Sequence, residues 1–538
     1  MPIVLGCGDP RPPTARKSRN KFGSDTIETE PYGVIRIVRD GSATFSNEDK
    51  NLADLLAQGL SRWVGAFPVN YDLQIIWFPD DDNKQQEEKK KSLLRKLFGI
   101  SLIDGARFER LQPRAESEFE HLLKKIFVNC NRITISREFS GGSGARVLLV
   151  KNDYGQDLIL KCCRVKRGPK RWHGANSSSS MQKYGTPTIF HSGNDPISDE
   201  IRKYREFVEG RLPLSHNIIY PDLVRETSLL KGFATNLVGT PTGARKSLTE
   251  YCSAIPDTSN DLAEAEDHIS HVVGTFLARI WSWWYEQAKA EAQFTVPLRE
   301  FLSRQLIESD GGMFWFVKGG KAGMDEFDNK HHREISEVLG SGVDDCPSPG
   351  AIWETVMRKA GTLRVAWGLA VVHGDAHGDN IFFDTQSRDV WVIDFARTGQ
   401  RVSIFDFVFL EADLKFRQMP NMIGKSKRID SPQFVMAFNE FEQMLASQIT
   451  YQQLCLPPQS EAYGQLRILG KIILDIRRLA AEQLARRGAF LDYHALSFLM
   501  SYKHIDWATT KQQKALAYLS LRSIAKSLSV LAGGMTGR

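Results

Sequence analysis

The chain is poor in cysteine, with seven in 538 residues, and none of them forms a CxxC pair. An odd number of thiols without metal-ligand spacing points to buried cysteines in a reducing compartment. Cys162 and Cys163 are adjacent and, on a strand, would face opposite sides. Long apolar runs are also lacking. None reaches the ~18 residues a membrane helix needs, so no membrane span is expected. Val4 to Cys7 has the look of a lipoprotein cleavage box, but six residues ahead of the cysteine leave no room for a secretory core, and the cytoplasm is the expected location. Charge of one sign is scarce too. Lys and Arg number 70 against 64 for Asp and Glu, and an excess of +6 permits an anionic partner without indicating nucleic acid. His331-His332 with Glu334 misses the HExxH spacing of a helical zinc site and reads as surface.

What is present is an ordinary globular composition, 42% hydrophobic and 25% charged, with length for two to four domains. Residues 1 to about 30 are rich in Pro, Arg, Lys and Gly and read as irregular. Tyr32–Val38 and Tyr71–Phe78 alternate like strands. Between them, Asp49–Val64 places Leu52, Leu55, Leu56, Leu60 and Trp63 on one helical stripe. These suggest a small α/β accessory domain with a charged linker over residues 1–110, a possible docking point for a protein partner. Asp80–Lys91 reads as a solvated linker or exposed helix start. Ser92–Phe98 is a short basic amphipathic piece suited to an acidic partner. A helix over Ala115–Phe127 follows.

The stretch with the most chemistry is Val371–Arg397, VVHGDAHGDNIFFDTQSRDVWVIDFAR. Val371-Val372 and Ile381–Phe383 flank a polar loop, and Thr385–Asp389 has turn composition before the apolar run Val390–Ile393. This spacing puts His373, Asp375, His377 and Asn380 in one loop and Asp394 at the end of the following hairpin. Phosphoryl transfer needs such an arrangement: positioned charges, metal ions and a carboxylate near the attacking hydroxyl. Asp375 would take or orient the hydroxyl proton. Asn380 and Asp394 would offer oxygen to Mg²⁺, which prefers hard ligands. Histidine suits zinc better, so His373 is read as bracing the loop by hydrogen bonding.

HGDAHGDN followed by IDFAR resembles the catalytic and metal-binding segments of the aminoglycoside phosphotransferase and choline kinase branch of the protein-kinase-like fold. It looks nearest to the ternary complex associated domain of bacterial conflict systems. The resemblance spans roughly Ile133–Val530. It implies an α+β, bilobal architecture: an N-lobe over 111–240, and a helical C-lobe with the catalytic loop over 241–538. It also implies ATP and Mg²⁺ as cofactors, and an aspartate near Asp406 that holds the catalytic loop from behind. Within that frame Ile133–Lys161 reads as three strands with a turn at Phe139–Ala145. Gly141, Gly142, Ser143 and Gly144 would lie over phosphate, although the loop does not spell GxGxxG. Lys161 sits among apolar residues (LILKCC), where a lone cation is costly and a phosphate plus a glutamate would offset the cost.

On the next expected helix, Ser198–Leu212, Glu200 borders the apolar stripe and Glu206 faces water, so Glu200 is the expected partner of Lys161. Backbone near Leu237 and Val238 would face adenine. The Trp281, Trp283, Trp284 and Tyr285 cluster reads as core. The expected activity is ATP- and Mg²⁺-dependent phosphate transfer to a hydroxyl acceptor. A nucleotide-binding sensor without turnover and a protein kinase are the alternatives. No acidic cluster suited to a cationic aminoglycoside stands out.

Overall fold

In the computed structural model, residues 25–29, 33–37, 69–100, 105–139, 145–165, 196–211, 224–227, 229–237, 245–255, 259–285, 294–308, 315–340, 347–423, 431–447, 464–484 and 491–535 are described. They divide into two compact units. The first begins with an antiparallel pair, β1 (Asp25–Thr29) and β2 (Gly33–Ile37), in register from Asp25↔Ile37 to Thr29↔Gly33. Among the described residues strand structure thus begins at Asp25, inside the stretch expected to be irregular. The helix expected over Asp49–Val64 lies outside the described residues.

The core of the first unit is a six-stranded sheet. Its strands are β3 (Gln74–Trp77), β4 (Arg132–Phe139), β5 (Arg146–Asn152), β6 (Asp157–Arg164), β7 (Arg225–Glu226) and β8 (Leu230–Asn236), in the order β3-β4-β5-β6-β8-β7. Only β3 runs parallel to its neighbour. The helices α1 (Asn83–Phe98) and α2 (Gly105–Ile126) supply Leu93, Leu94, Leu97, Phe98, Phe119, Leu122 and Leu123 to a core shared with Ile133, Ile135, Leu148, Val150, Leu160 and Cys162. Each fully buried Leu or Phe contributes about 1.5–3 kcal/mol.

Two expectations change here. Ser92–Phe98 is not a free docking piece, because its four apolar residues are spent in this core. The expected break near residue 110 also falls inside one packed unit, since β3 and both helices share the sheet's core. The charged run Asp80–Lys91 opens α1. Asp82 caps it by accepting from Gln85 N at 2.7 Å, and Gly99, at φ 66°, ends it.

The second unit is mainly helical. The helix α3 (Pro196–Phe207) joins it from Asp199 onward, and β9 (Arg245–Ser247) leads into α4 (Leu248–Ser253). The α4 start is a full capping box between Ser247 and Glu250. Next come α5 (Ser259–Ile280), a π-helical turn (Trp281–Tyr285), β10 (Phe294–Pro297), α6 (Leu298–Glu308), α7 (Trp315–Leu339) and α8 (Pro349–Lys359). The strands β11 (Arg364–Trp367), β12 (Leu369–Val372), β13 (Ile381–Asp384), β14 (Val390–Val392) and β15 (Gly399–Val402) surround the polar loop. After them, α9 (Phe405–Asp413) runs through a second π-helical turn (Leu414–Gln418) into α10 (Met419–Ile423).

The remaining helices are α11 (Pro432–Ser447), α12 (Gly464–Leu484), α13 (Leu491–Trp507) and α14 (Lys511–Met535). Of these, α14 is long and apolar enough over Lys511–Gly533 to pass for a membrane span, although its interspersed charges leave no long apolar run. It packs against α7, α8, α11 and α13, and 61% of its apolar window is buried, as in the core helix of a globular unit. The expected surface position of His331 is overturned. It is fully buried, its ring tilted against that of Phe327 and its Nε2 3.2 Å from Asp506 Oδ1. With the sheet in one unit and helices dominating the other, the fold class is α+β, as expected.

Candidate active site

The polar loop is held between two antiparallel pairs, β12 with β15 and β13 with β14. Its first turn hangs on one carboxylate. Asp406, fully buried at the start of α9, accepts from His373 N at 2.7 Å and Gly374 N at 2.8 Å. The Tyr285 hydroxyl donates to the same carboxylate at 3.1 Å. Burial pushes the Asp406 carboxyl above its usual range, while His373 and these donors oppose the shift. The His373 ring sits with Nε2 2.9 Å from Ile393 O, tying the loop to the hairpin.

Gly374 makes the tight turn at φ 78°, and a Cβ there would collide with the Arg397 carbonyl oxygen. Gly374→Ala should therefore cost at least about 1–2 kcal/mol through left-handed strain and the clash. Thermal unfolding would show this as a lowered midpoint, and an unchanged midpoint would contradict the geometry.

One side-chain bond and the backbone pairing of the hairpin make Asp375, Asn380 and Asp394 near neighbours. Asn380 Nδ2 donates to Asp375 O at 2.9 Å, and Ile393 N donates to Asn380 O at 3.0 Å. With Ile381 opposite Val392, Asn380 stands across from Ile393, and Asp394 is the next residue. Spending Nδ2 on the Asp375 carbonyl directs the amide oxygen of Asn380 the other way, as a metal ligand requires. Asp394 sits at φ 62°, ψ 73° and accepts from Ala396 N at 3.3 Å, capping the short 3-10 turn Phe395–Arg397. A non-glycine residue in left-handed backbone carries strain that surrounding structure must hold, and such strain gathers at functional sites. Among the described residues no group of three or more His, Cys, Asp or Glu could hold a metal. The donor set of Asn380 and Asp394 fits a cation that takes its other oxygens from phosphate and water, which is the habit of Mg²⁺.

A further layer of contacts, absent from the sequence expectations, braces the loop. Arg417, on the π-helical turn, forms an ion pair with Asp379, has NH1 3.4 Å from His377 Nδ1 and lies 3.6 Å from Asp413 Oδ1. Asp413 Oδ2 accepts from Gly378 N at 2.9 Å and from Gln418 Nε2 at 2.8 Å. The signal was available: Asp406 and Asp413 are seven residues apart on a segment read as helical, which aligns them on one face.

The nucleotide-side residues fall differently. Lys161 is 6% exposed in the centre of the sheet, paired with Val147 and Phe233, on the face opposite Leu160 and Cys162. Glu200 is buried and Glu206 exposed, the burial expected of each. Part of α3 is tied to the loop's own unit: Lys203 Nζ donates to Ala396 O at 2.5 Å, and the Tyr204 ring lies 5.9 Å from that of Phe395. Burial, followed by the nearby Arg401 charge, lowers Lys203 to about 8. The Leu237 N–H is already spent on Asp157 O at 3.2 Å, so only its carbonyl could meet a ligand. Gly141, Gly142, Ser143, Gly144 and Val238 lie outside the described residues.

No curated protein matches the chain. Among solved structures it is similar to aminoglycoside phosphotransferase APH(4)-Ia, at 12% identity over 77% of this chain and 99% of that one, with a TM-score of 0.35. It is also similar to a glucosamine kinase in complex with glucosamine, ADP and inorganic phosphate, at 13% identity over 74% and 93%, with a TM-score of 0.30. A third likeness is to the amicoumacin kinase hAmiN, at 11% identity over 73% and 88%, with a TM-score of 0.29. The loop itself is covered by a family match: residues 328–505, which hold His373, Asp375, Asn380, Asp394 and Asp406, match Ternary complex associated domain 9, the kind of domain that HGDAHGDN and IDFAR resemble.

Proposed function

We propose that the chain is a phosphotransferase that uses ATP with Mg²⁺ and passes the terminal phosphate to a hydroxyl acceptor. The observation that carries this reading is the convergence of Asp375, Asn380 and Asp394, with the Asn380 amide turned by its bond to Asp375 O. In the proposed roles Asp375 receives the acceptor's hydroxyl proton, and Asn380 and Asp394 present oxygen to Mg²⁺. When bound, the ion would offset the negative charge that the phosphate oxygens carry in transfer. Lys161 is assigned to the phosphates and Glu200 to holding Lys161. The glycine loop Gly141–Gly144 and the Leu237-Val238 segment are assigned to the nucleotide. Asp406 and His373 keep the loop in place.

The test is incubation of the protein with Mg²⁺ and γ-labelled ATP in a cell extract, with the label followed by mass. Transfer to one hydroxyl-bearing molecule is expected, and label appearing on the protein itself would instead favour a protein kinase. If ATP binds and no molecule gains label, the transfer reading fails and a nucleotide sensor remains. Asp394→Asn should remove the Mg²⁺-dependent part of the thermal shift given by ATP. A shift of wild-type size in that variant would take Asp394 out of the metal site.

A further inference from the structure

His377 is absent from the roles above, yet its ring lies at the centre of the loop. Its Nδ1 faces two groups that can only donate, the Asp379 backbone N–H at 3.3 Å and Arg417 NH1 at 3.4 Å. The one carboxylate near Nδ1, Asp379 at 3.9 Å, is paired with Arg417 through the same Oδ2. Nδ1 must therefore carry a lone pair, and a neutral imidazole then has its proton on Nε2. Nε2 has two neighbours. Asn380 Nδ2, at 3.2 Å, gives one of its two hydrogens to Asp375 O and offers Nε2 no acceptor, whereas Asp375 Oδ2, at 3.8 Å, does. Arg397 Nε lies 3.6 Å from that same Oδ2.

We infer that His377 is a positioning residue that makes the two oxygens of Asp375 unequal. His377 Nε2–H and Arg397 converge on Oδ2, which leaves Oδ1 to meet the acceptor hydroxyl. Catalytic hydrogen bonds are often long before ligand binds and shorten afterwards, which suits separations of 3.6–3.8 Å. Arg417 acts one step further out, since its guanidinium at Nδ1 selects the tautomer that aims a proton at Asp375. Its place on the π-helical turn, beside Asp413 and Gln418, brings it to the loop.

This inference rests on the phosphotransferase reading for its consequence, but the tautomer can be read without activity. In ¹⁵N-histidine-labelled full-length protein, assigned by loss of the signal in His377→Gln, the ring should show a protonated Nε2 and a bare Nδ1. A protonated Nδ1 would overturn the proposal even if the enzyme works. Two substitutions test the consequence. The amide of Gln reaches the place of Nε2, and that of Asn reaches only the place of Nδ1. His377→Asn should lower kcat about 10–100-fold, the usual effect of losing a partner that orients a functional group, with KM for ATP little changed. His377→Gln should recover most of that loss. Equal kcat losses in the two variants, or a loss confined to KM, would overturn the positioning role. Wild-type protein without any transfer would instead defeat the phosphotransferase reading and leave the tautomer result standing.

Discussion

Asp375→Asn should lower turnover by about 10²–10⁴-fold, the usual contribution of a positioned general base, or about 3–5 kcal/mol of barrier. The substitution is nearly isosteric, and the contacts that shape the loop use backbone atoms it does not alter. Asn380 Nδ2 and His377 N both bond the residue-375 carbonyl, and Asp406 holds the turn just before it. What is lost is the charge and the proton-accepting oxygen. Binding of Mg²⁺–ATP should persist, because Asn380 and Asp394 are untouched. Steady-state rates and an ATP titration by thermal shift separate these effects. Turnover within threefold of wild type would remove Asp375 from the proton's path, and loss of ATP binding would make its role structural.

Those residues were legible because the loop is short and its members are neighbours in sequence. HGDAHGDN places five polar side chains within eight residues, and a hairpin of predictable length brings Asp394 alongside Asn380. The strands of the first sheet were legible for a similar reason, since alternation marks each one locally. What was not legible depends on distant pairing. β3 reads as a strand, but its parallel partner β4 begins 55 residues after β3 ends (132 − 77), and no local pattern tells an accessory strand from an edge of the same sheet. His331 stands in a charged stretch, and only Phe327 and Asp506, the latter from a helix far along the chain, reveal its burial. Arg477 is followed by Arg478 on α12, and nothing local in the sequence marks it for burial. In the fold it is among the most buried side chains, because its partners, Glu411, Leu445 O and the Tyr493 ring, come from three other helices.

Arg477→Met should destabilise the second unit by about 3–5 kcal/mol, the cost of leaving a buried charge without its partner. Arg477 donates Nε and NH2 to Glu411 at 2.8 Å each, and NH1 to Leu445 O at 2.6 Å. Lys415 Nζ reaches Glu411 at 3.1 Å, Glu442 at 2.9 Å and Ser520 Oγ at 3.2 Å, and the Tyr493 hydroxyl donates to Glu411 at 2.5 Å. Two cations and two carboxylates thus balance in an interior site. Burial alone would raise Glu411, but Arg477 and Lys415 outweigh it and hold its carboxyl at about 2. A carboxyl lowered from 4.5 to about 2 adds stability, about 3 kcal/mol, that is present above pH 4.5 and lost as pH falls towards 2.

In Arg477→Met the acid transition should therefore move to higher pH, not only the melting point down. Glu411→Leu with Arg477→Met removes both charges, leaves Lys415 paired with Glu442 at 2.9 Å, and should recover stability relative to Arg477→Met. Recovery would mark Glu411, left to share Lys415 with Glu442, as the source of the cost, and additive losses would place it in packing instead. The effect should reach the loop as well. Glu411 and Lys415 lie on the continuous stretch from α9 into its π-helical turn that also carries Asp406, Asp413 and Arg417. If this network anchors that stretch, Arg477→Met should lower turnover even at temperatures where the unit stays folded, and turnover at the wild-type level there would limit the network to stability alone.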